Sequence, residues 1–341
     1  MASITIKDIA QKLNLSPATV SLALNQRPGV NKQTRENVLS AARELNYSGN
    51  IGIVKRKSHK NLEMLGFLVY KRYGKIITDS QFFTELIAAV ERAARVQDYT
   101  LLLSYCMGEE EMVDSIKLLK SSNLKGILIL GTELSESDAE LFYQMNLPVV
   151  IMDCDLLACR FDTVTIHNED GIWRGMKYLY EQGHREIGYL HSSFSIKNFE
   201  QRSLGYENFL NKFNINSGEK IFMVEPTIEG TCADICELVR QGIEFPPAMV
   251  ADNDLIALGA MKAFAQCGIK IPDDVSIIGF DDIPMNSLIE PQLTSIHVSC
   301  DELGESAVNQ LLWRTENPAS VPRKISIGTK LIVRNSVKLR T

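Results

Sequence analysis

The chain has 341 residues, 45% of them hydrophobic and 23% charged, with a formal net charge of -6. That length suits two or three folding units, and no apolar run approaches the roughly 18 residues a membrane-spanning helix requires, so no membrane partner is expected. The charge is divided: residues 1–60 hold ten Lys or Arg against three Asp or Glu, whereas the whole chain has 36 against 42, so one end suits a polyanion and the remainder repels it.

The start, Met1-Ala2-Ser3 running into Ile4-Thr5-Ile6-Lys7-Asp8, has neither the apolar core nor the cleavage site of an export signal, and a cytoplasmic location is expected. Ile6, Ile9, Ala10 and Leu13 recur at helical spacing, with Thr5 placed to cap the helix and Asp8 to favour its N-terminus. After a turn at Asn14-Leu15, Ser16-Pro17 supplies an N-cap followed by proline at the first helical position, where its missing N–H costs nothing. Val20, Ala23 and Leu24 share one face of this second helix, and Pro17, Ala18, Ser21, Leu22 and Asn25 share the other, which is left free to read DNA. Ala10 is small enough to let the two helices approach. Gln26-Arg27-Pro28-Gly29 then breaks the chain before a third helix, Lys32 to Leu45.

From Met64 the pattern changes to strands alternating with helices. Met64 to Tyr70 is an apolar run of strand length, followed by Phe82, Phe83, Leu86, Ile87, Val90, Ala93 and Ala94 on one side of a helix. Next come Thr100 to Ser104, Glu109 to Lys120, Gly126 to Leu130, Ser135 to Met145 and Val149 to Met152. A second series runs Thr163 to Ile166, Asn168 to Gln182, Ile187 to His191, Glu200 to Phe213, Ile221 to Val224, Glu229 to Gln241, Ala248 to Ala251, Asp254 to Cys267 and Val275 to Gly279, with a last strand at Lys330 to Arg334. Such alternation argues for parallel sheets covered by helices on both faces, and two sheets are expected because one would need about ten strands. The fold class is α/β: a three-helix helix-turn-helix headpiece over residues 1–48, a linker over 49–62, and a body over 63–341.

The seven cysteines, at 106, 154, 159, 232, 236, 267 and 300, form no CxxC pair and read as reduced thiols. Cys232 and Cys236, one helical turn apart, have a spacing open to a shared metal ion or to plain helix packing; with no His nearby, no metal or other cofactor is expected. An enzyme is not indicated, because GxGxxG after a strand, the P-loop, GxSxG and HExxH are all missing. Asp281-Asp282 has no activated nucleophile to accompany it.

The string Thr5-Ile6-Lys7-Asp8-Ile9-Ala10, then Leu15-Ser16-Pro17-Ala18-Thr19-Val20-Ser21-Leu22-Ala23-Leu24-Asn25, Val30, Thr34-Arg35 and Leu45-Asn46-Tyr47 resembles the headpiece of the LacI/GalR family of bacterial repressors. The resemblance continues through Leu147-Pro148-Val149-Val150, Gly183-His184-Arg185-Glu186-Ile187, Arg202 with Gly205-Tyr206, Asn253 to Ala260, Ile271 to Asp282, and Arg334, so it spans almost the whole chain. It implies a homodimer on a palindromic double-stranded DNA operator, with no long heptad tail after Lys330 to Arg334 to build a tetramer. It also implies a body with the two-lobed fold of periplasmic sugar-binding proteins (type I), each lobe discontinuous because the chain crosses three times. A small-molecule effector, a carbohydrate by expectation, sits in the cleft at the strand carboxyl ends. Thr5, Ser16, Thr19, Ser21, Asn25 and Thr34 then lie near phosphates or base edges, and Pro17, Ala18 and Leu22 face the bases. In the cleft the resemblance implies Asp281, Arg202, Asn253, Phe82 and Phe83, with Tyr70 and Asp153 as further candidates: Asp and Arg grip adjacent hydroxyls while a ring covers the apolar face of a sugar. Capping a helix ahead of Ile283 is the alternative for Asp281, and packing in the core is the alternative for Phe82 and Phe83.

The departures from the family pattern carry information. With Pro17, Ala18 and Leu22 on the recognition face, no bidentate guanine contact is available from these positions, and specificity is expected to lean on thymine methyl groups and DNA shape; Leu22 packing on the third helix is the alternative. Pro226 stands where relatives often have an aromatic residue, and His167 where an Asp is common. In the linker, Gly49 replaces a proline, Gly52 lowers helix propensity by about 1 kcal/mol, and Arg56 takes the place of the leucine that wedges into the minor groove. Lys55, Arg56 and Lys57 are therefore expected to follow phosphates, with less bending of the operator, or else to form a solvated tether. Control by a protein co-repressor, and a sugar-binding module without DNA control, are the other functions this sequence admits.

Overall fold

The computed structural model describes residues 5–24, 30–45, 63–78, 80–215 and 220–340, and the chain separates into two compact units, Met1–Leu62 and Glu63–Thr341. The first holds α1 (Ile6–Leu13), α2 (Pro17–Leu24) and α3 (Lys32–Glu44). Local chemistry sets their ends. The Thr5 N–H and hydroxyl both donate to the Asp8 carboxylate, at 2.6 and 2.7 Å, at the start of α1, and Asn14 closes it in the left-handed region at φ 54°, where an amide side chain is tolerated. Ser16 Oγ accepts from the Thr19 N–H at 3.0 Å and Asn31 Oδ1 from the Thr34 N–H at 2.8 Å, capping α2 and α3. Ile9, Ala10, Val20, Ala23, Leu24, Val38, Ala41 and Ala42 form one small buried core between the three helices.

In the second unit β1 (Met64–Lys71) leads through α4 (Lys75–Thr78) to α5 (Gln81–Val96), followed by β2 (Thr100–Met107), α6 (Gly108–Ser121), β3 (Leu124–Leu130), α7 (Glu136–Glu140), β4 (Val149–Met152) and β5 (Asp162–Ile166). The chain then makes α8 (Asn168–Glu181), β6 (Gly188–Ser192), α9 (Lys197–Phe213), β7 (Ile221–Val224), α10 (Ile228–Arg240), β8 (Ala248–Ala251), α11 (Asp254–Gln266), β9 (Ser276–Asp281), β10 (Thr294–His297), α12 (Cys300–Glu316), β11 (Lys324–Ile327) and β12 (Lys330–Ile332). One sheet has the order β11-β5-β4-β3-β1-β2 and the other β12-β10-β9-β8-β6-β7. All pairings are parallel except β10 with β12. The chain passes between sheets after β5, after β10 and after β11, so each lobe is assembled from separate stretches.

Three features differ from the sequence reading. β5 belongs with the first lobe, not the second series: it pairs with β4 in the register Val150↔Asp162, and the crossing follows it. A strand buried on both faces carries no mark of which sheet holds it. The periodicity also does not reveal β10, α12 or β11, the first and last being four-residue strands; only the Ser299-to-Glu302 spacing marks α12, where Ser299 Oγ accepts the Glu302 N–H at 3.3 Å. The stretch from 135 to 145 is a short helix plus a tighter turn at Leu141–Gln144 rather than one helix.

Of these elements, α12 and the start of β11 are pinned to the first lobe by Asp162. Its buried carboxylate accepts from Arg314 Nε at 2.7 Å and Nη2 at 2.6 Å, from Gln310 Nε2 at 3.0 Å, and from the Arg323 N–H at 2.6 Å. Burial alone raises its pKa, but the guanidinium, the backbone N–H and the amide outweigh it, so the group is held below the ordinary carboxylate range. Its contribution is therefore present above the unfolded pKa and is lost as pH falls through the lower folded value. Replacing Asp162 by Ala removes the counter-charge of Arg314, which keeps only the carbonyls of Asn317, Ser320 and Val321, and is expected to cost about 3–5 kcal/mol, read as a lower urea midpoint at pH 7 with a flatter loss of stability toward acid.

Candidate DNA-reading face and effector cleft

On the headpiece, Pro17 and Ala18 are exposed and Thr19, Ser21 and Leu22 are half-buried, while Val20, Ala23 and Leu24 are buried beneath them. Leu22 stands outside the three-helix core cluster, which leaves it on the outward face. Thr5 and Ser16 are exposed and Thr34 is half-buried, each beside a helix start, where unpaired N–H groups and the helix dipole favour a phosphate. The Ser16 and Thr19 hydroxyls lie 2.8 Å apart. Asn25, Lys55 and Arg56 lie outside the described residues.

In the second unit, the strand exits converge on Arg202. This side chain, 2% exposed on α9, stacks its guanidinium on the Phe280 ring at 3.6 Å from the centroid. Its Nε donates to Asn168 Oδ1 at 2.8 Å, Nη1 donates to the Asp252 carbonyl, and Nη2 lies 3.7 Å from Asp281 Oδ1. The Asp252 carboxylate collects the Tyr189 hydroxyl and the Ser192 N–H, the latter at 2.6 Å, and lies 2.8 Å from His191 Nδ1. Burial lowers the His191 pKa, but the bond to Asp252 and its charge more than compensate, so the net shift is upward. Asp254, the first residue of α11, accepts from Ser295, Ile283 N–H and Asn286 at 2.6, 2.9 and 2.7 Å. Gly279 makes room for it, since a Cβ there would stand 2.0 Å from Asp254 Oδ1.

Asp153 enters from the first lobe. It accepts from Thr132 at 2.6 Å and, across the cleft, from Asn198 at 2.9 Å; Asn198 and Arg202 both meet Asn168. Burial pushes the Asp153 carboxyl up against the opposing pull of Thr132, Arg202 and Asn198. Burial likewise raises Asp281 well above the usual range, Arg202 opposes, and the carboxylates of Asp254, Asp153 and Asp252 add to the rise. Asp153, Asp252 and Asp254 thus already hold donors of the fold, and Asp281 is the carboxyl group paired with Arg202.

The other sequence candidates divide. Phe82 and Phe83 both pack in the core with Leu86 and Val90, ring against ring at 5.1 Å, and Phe82 also lines a cavity of about 90 Å³ with Glu85, Asp281, Asp282 and His297. Asn253 caps α11, accepting the Ile256 N–H at 3.0 Å. Tyr70 is fully buried on the sheet face shared with Leu68, Cys106 and Met112; burial and the nearby Asp138 raise its hydroxyl pKa. Asp281 makes no helix cap. It sits at φ 106°, in the region where a side chain is strained. His167 accepts the Asp170 N–H at 3.3 Å at the start of α8.

Sequence reasoning misses the residues that join the lobes at the cleft mouth. Tyr73 meets Phe194 edge-on at 5.1 Å, Lys75 pairs with Glu225 at 3.0 Å and lies 5.7 Å from the Phe194 ring centroid, and Lys197 pairs with Glu136 at 3.3 Å. The loop bearing Tyr73 and Lys75 is held by buried Glu133, whose Oε2 accepts the N–H groups of Arg72, Tyr73 and Gly74 at 2.5, 2.6 and 3.4 Å. Their one shared signal is position, between the end of a strand and the first residue of the next helix.

A helix-turn-helix in one unit and a two-lobed α/β unit with its polar cluster at the strand exits define a DNA-binding transcriptional regulator with a small-molecule sensor. Residues 5–50 match the family of bacterial regulatory proteins named for lacI, and residues 176–337 the periplasmic binding protein-like domain. The chain is 34% identical over 345 residues to a HTH-type transcriptional repressor PurR of Haemophilus influenzae (strain PittEE), covering 98% of both. The lac repressor dimer bound to operator and the anti-inducer ONPF matches with TM-score 0.72 at 24% identity over 99% of this chain and 100% of that one. The transcriptional regulator CelR–cellobiose complex matches with TM-score 0.72 at 22% identity, over 98% and 99%. The chain belongs to the lacI family of bacterial regulatory proteins. Among the described residues no helix is long and apolar enough to cross a membrane.

Glu133→Ala leaves the N–H groups of Arg72 and Tyr73 without an acceptor. Such a loss costs about 1–3 kcal/mol, and amide exchange at those two residues is expected to quicken roughly 5- to 150-fold, while exchange in the headpiece is unchanged.

Proposed function

We propose that the chain is a cytoplasmic transcriptional repressor that binds a palindromic operator as a homodimer and answers to a carbohydrate, or a related polyhydroxylated metabolite, in the cleft. The observation that carries the ligand class is Asp281, a carboxyl group 3.7 Å from the buried Arg202 guanidinium that also lines the cavity with Phe82. A ligand rich in hydroxyl donors satisfies such a site, and Phe82 beside Asp281 offers an apolar wall. The likeness to a regulator solved with cellobiose supports this reading. Operator selected from a random DNA library, followed by titration with monosaccharides, disaccharides and purine bases, tests it: one sugar class should change operator affinity. A response to a purine and to no sugar overturns it.

Asp281→Ala is expected to bind operator as the unaltered chain does. It should need roughly 5- to 150-fold more effector for the same response, which corresponds to about 1–3 kcal/mol for one lost charge-assisted partner. An unchanged effector midpoint removes Asp281 from the site.

Apolar side chains on the edge strands support the dimer. Tyr105 and Met107 on β2 and Met223 on β7 are each 54% exposed, and an apolar groove of about 330 Å³ between Ile228, Leu258, Met261, Met285 and Ile289 opens on the second lobe. Uncovered apolar surface of this kind marks association. Sedimentation at micromolar concentration should give a dimer, and Tyr105→Glu combined with Met223→Glu should shift it to monomer and weaken operator binding.

A further inference from the structure

We propose that Cys236 and Cys267 are a thiol-pair modification site, closed to a disulfide by a two-electron oxidant such as hydrogen peroxide. All seven cysteines are free thiols in the structure, and five of them are buried. The two half-buried ones face each other: the Cys267 and Cys236 sulfurs lie 3.8 Å apart. Cys236 projects from the middle of α10, and Cys267 follows the last residue of α11, so the two helices already hold the thiols in contact. A bond of about 2.05 Å needs the sulfurs to close from 3.8 Å. Gln266 fixes the cluster, its Oε1 accepting from Cys236 at 3.6 Å and from buried Cys232 at 3.7 Å.

Cys232 is the third thiol, one turn before Cys236 on the same helix. It touches Gln266 from below and is buried, which makes Cys236 the sulfur that reaches both solvent and a partner. The chemistry balances as follows. The Cys236 thiolate attacks one peroxide oxygen, the O–O bond breaks, and hydroxide leaves a sulfenic acid on Cys236. The Cys267 thiolate then attacks that sulfur and expels a second hydroxide, and the two thiol protons convert both hydroxides to water. Two thiols are oxidised, one peroxide is reduced, and one S–S bond is formed.

The bond encloses β8 and its exit at Asp252 and Asn253, where Arg202 finds a carbonyl partner. Oxidation therefore staples the part of the second lobe that underlies the effector cleft.

The test is thiol counting on the full chain. The reduced protein is treated with hydrogen peroxide under native conditions, unfolded, and alkylated, and a non-reducing digest is mapped by mass spectrometry. Reduced protein should take up seven alkyl groups and oxidised protein five, with the missing pair recovered as a peptide linking Cys236 to Cys267 and reverting with a reductant. C236S should keep all six remaining thiols after peroxide, C267S should stop at a sulfenic acid on Cys236 with five thiols left and no link, and C232S should still form the link. A link between any other pair, a link between two chains, or over-oxidation of single thiols without a link overturns the proposal.

Discussion

A guanidinium does not shed its charge inside a protein, and burying one is tolerated only when its N–H groups are met. Arg202 imposes that condition on the whole second lobe. Phe280 in β9 must lie flat against it, the β8 exit must offer the Asp252 carbonyl, and the start of α8 must bring Asn168 within reach. Asp252, held by its backbone in that arrangement, then uses its side chain to order the β6 exit through Tyr189 and Ser192. The cleft floor is thus a chain of obligations that starts at one charge and, through Asn168, Asn198 and Asp153, ends on the opposite lobe.

The contacts at the cleft mouth have a different character. Lys75–Glu225 and Lys197–Glu136 are partly solvated pairs, and such pairs are worth about 0–1 kcal/mol each. The floor is strongly determined and the mouth is weakly held. Contacts worth so little at the mouth leave a ligand with a few kcal/mol of preference for one arrangement of the lobes able to decide between them.

How far the site could be read from residues alone depended on whether its chemistry is local. The headpiece was legible because its caps, its proline at the first turn of α2 and its buried stripe all act within a few residues. Arg202 and Asp281 were legible through the resemblance and through their places near strand ends. Tyr70 shows where this stops. Strand parity puts it with Leu68 on the face that packs against Met112, and the tyrosine that reaches the cleft is Tyr73, beyond the strand. Phe82 and Phe83 look alike in sequence, yet rotation of α5 sends only one to the cavity by Asp281. Asn168 and Asn198 carry no local mark, since an amide at a helix start ordinarily reads as a cap, and their role exists only once α8 and α9 are packed together.

The threefold crossing of the chain has a consequence for biosynthesis. β5 is flanked on its outer side by β11, with Thr163 opposite Lys324, and Asp162 finds Arg314 and Arg323 only across separations of 152 and 161 residues. At about 5–20 residues per second of translation, the edge of the first sheet waits on the order of 8–30 s for its neighbour. In that interval nearly all of the second lobe has emerged and can fold. The lobe that starts first is therefore closed only after most of the second has been made, a few residues before β12 completes that one in turn, and the open edge at β5 is a stretch of the nascent chain that needs protection from pairing with another copy.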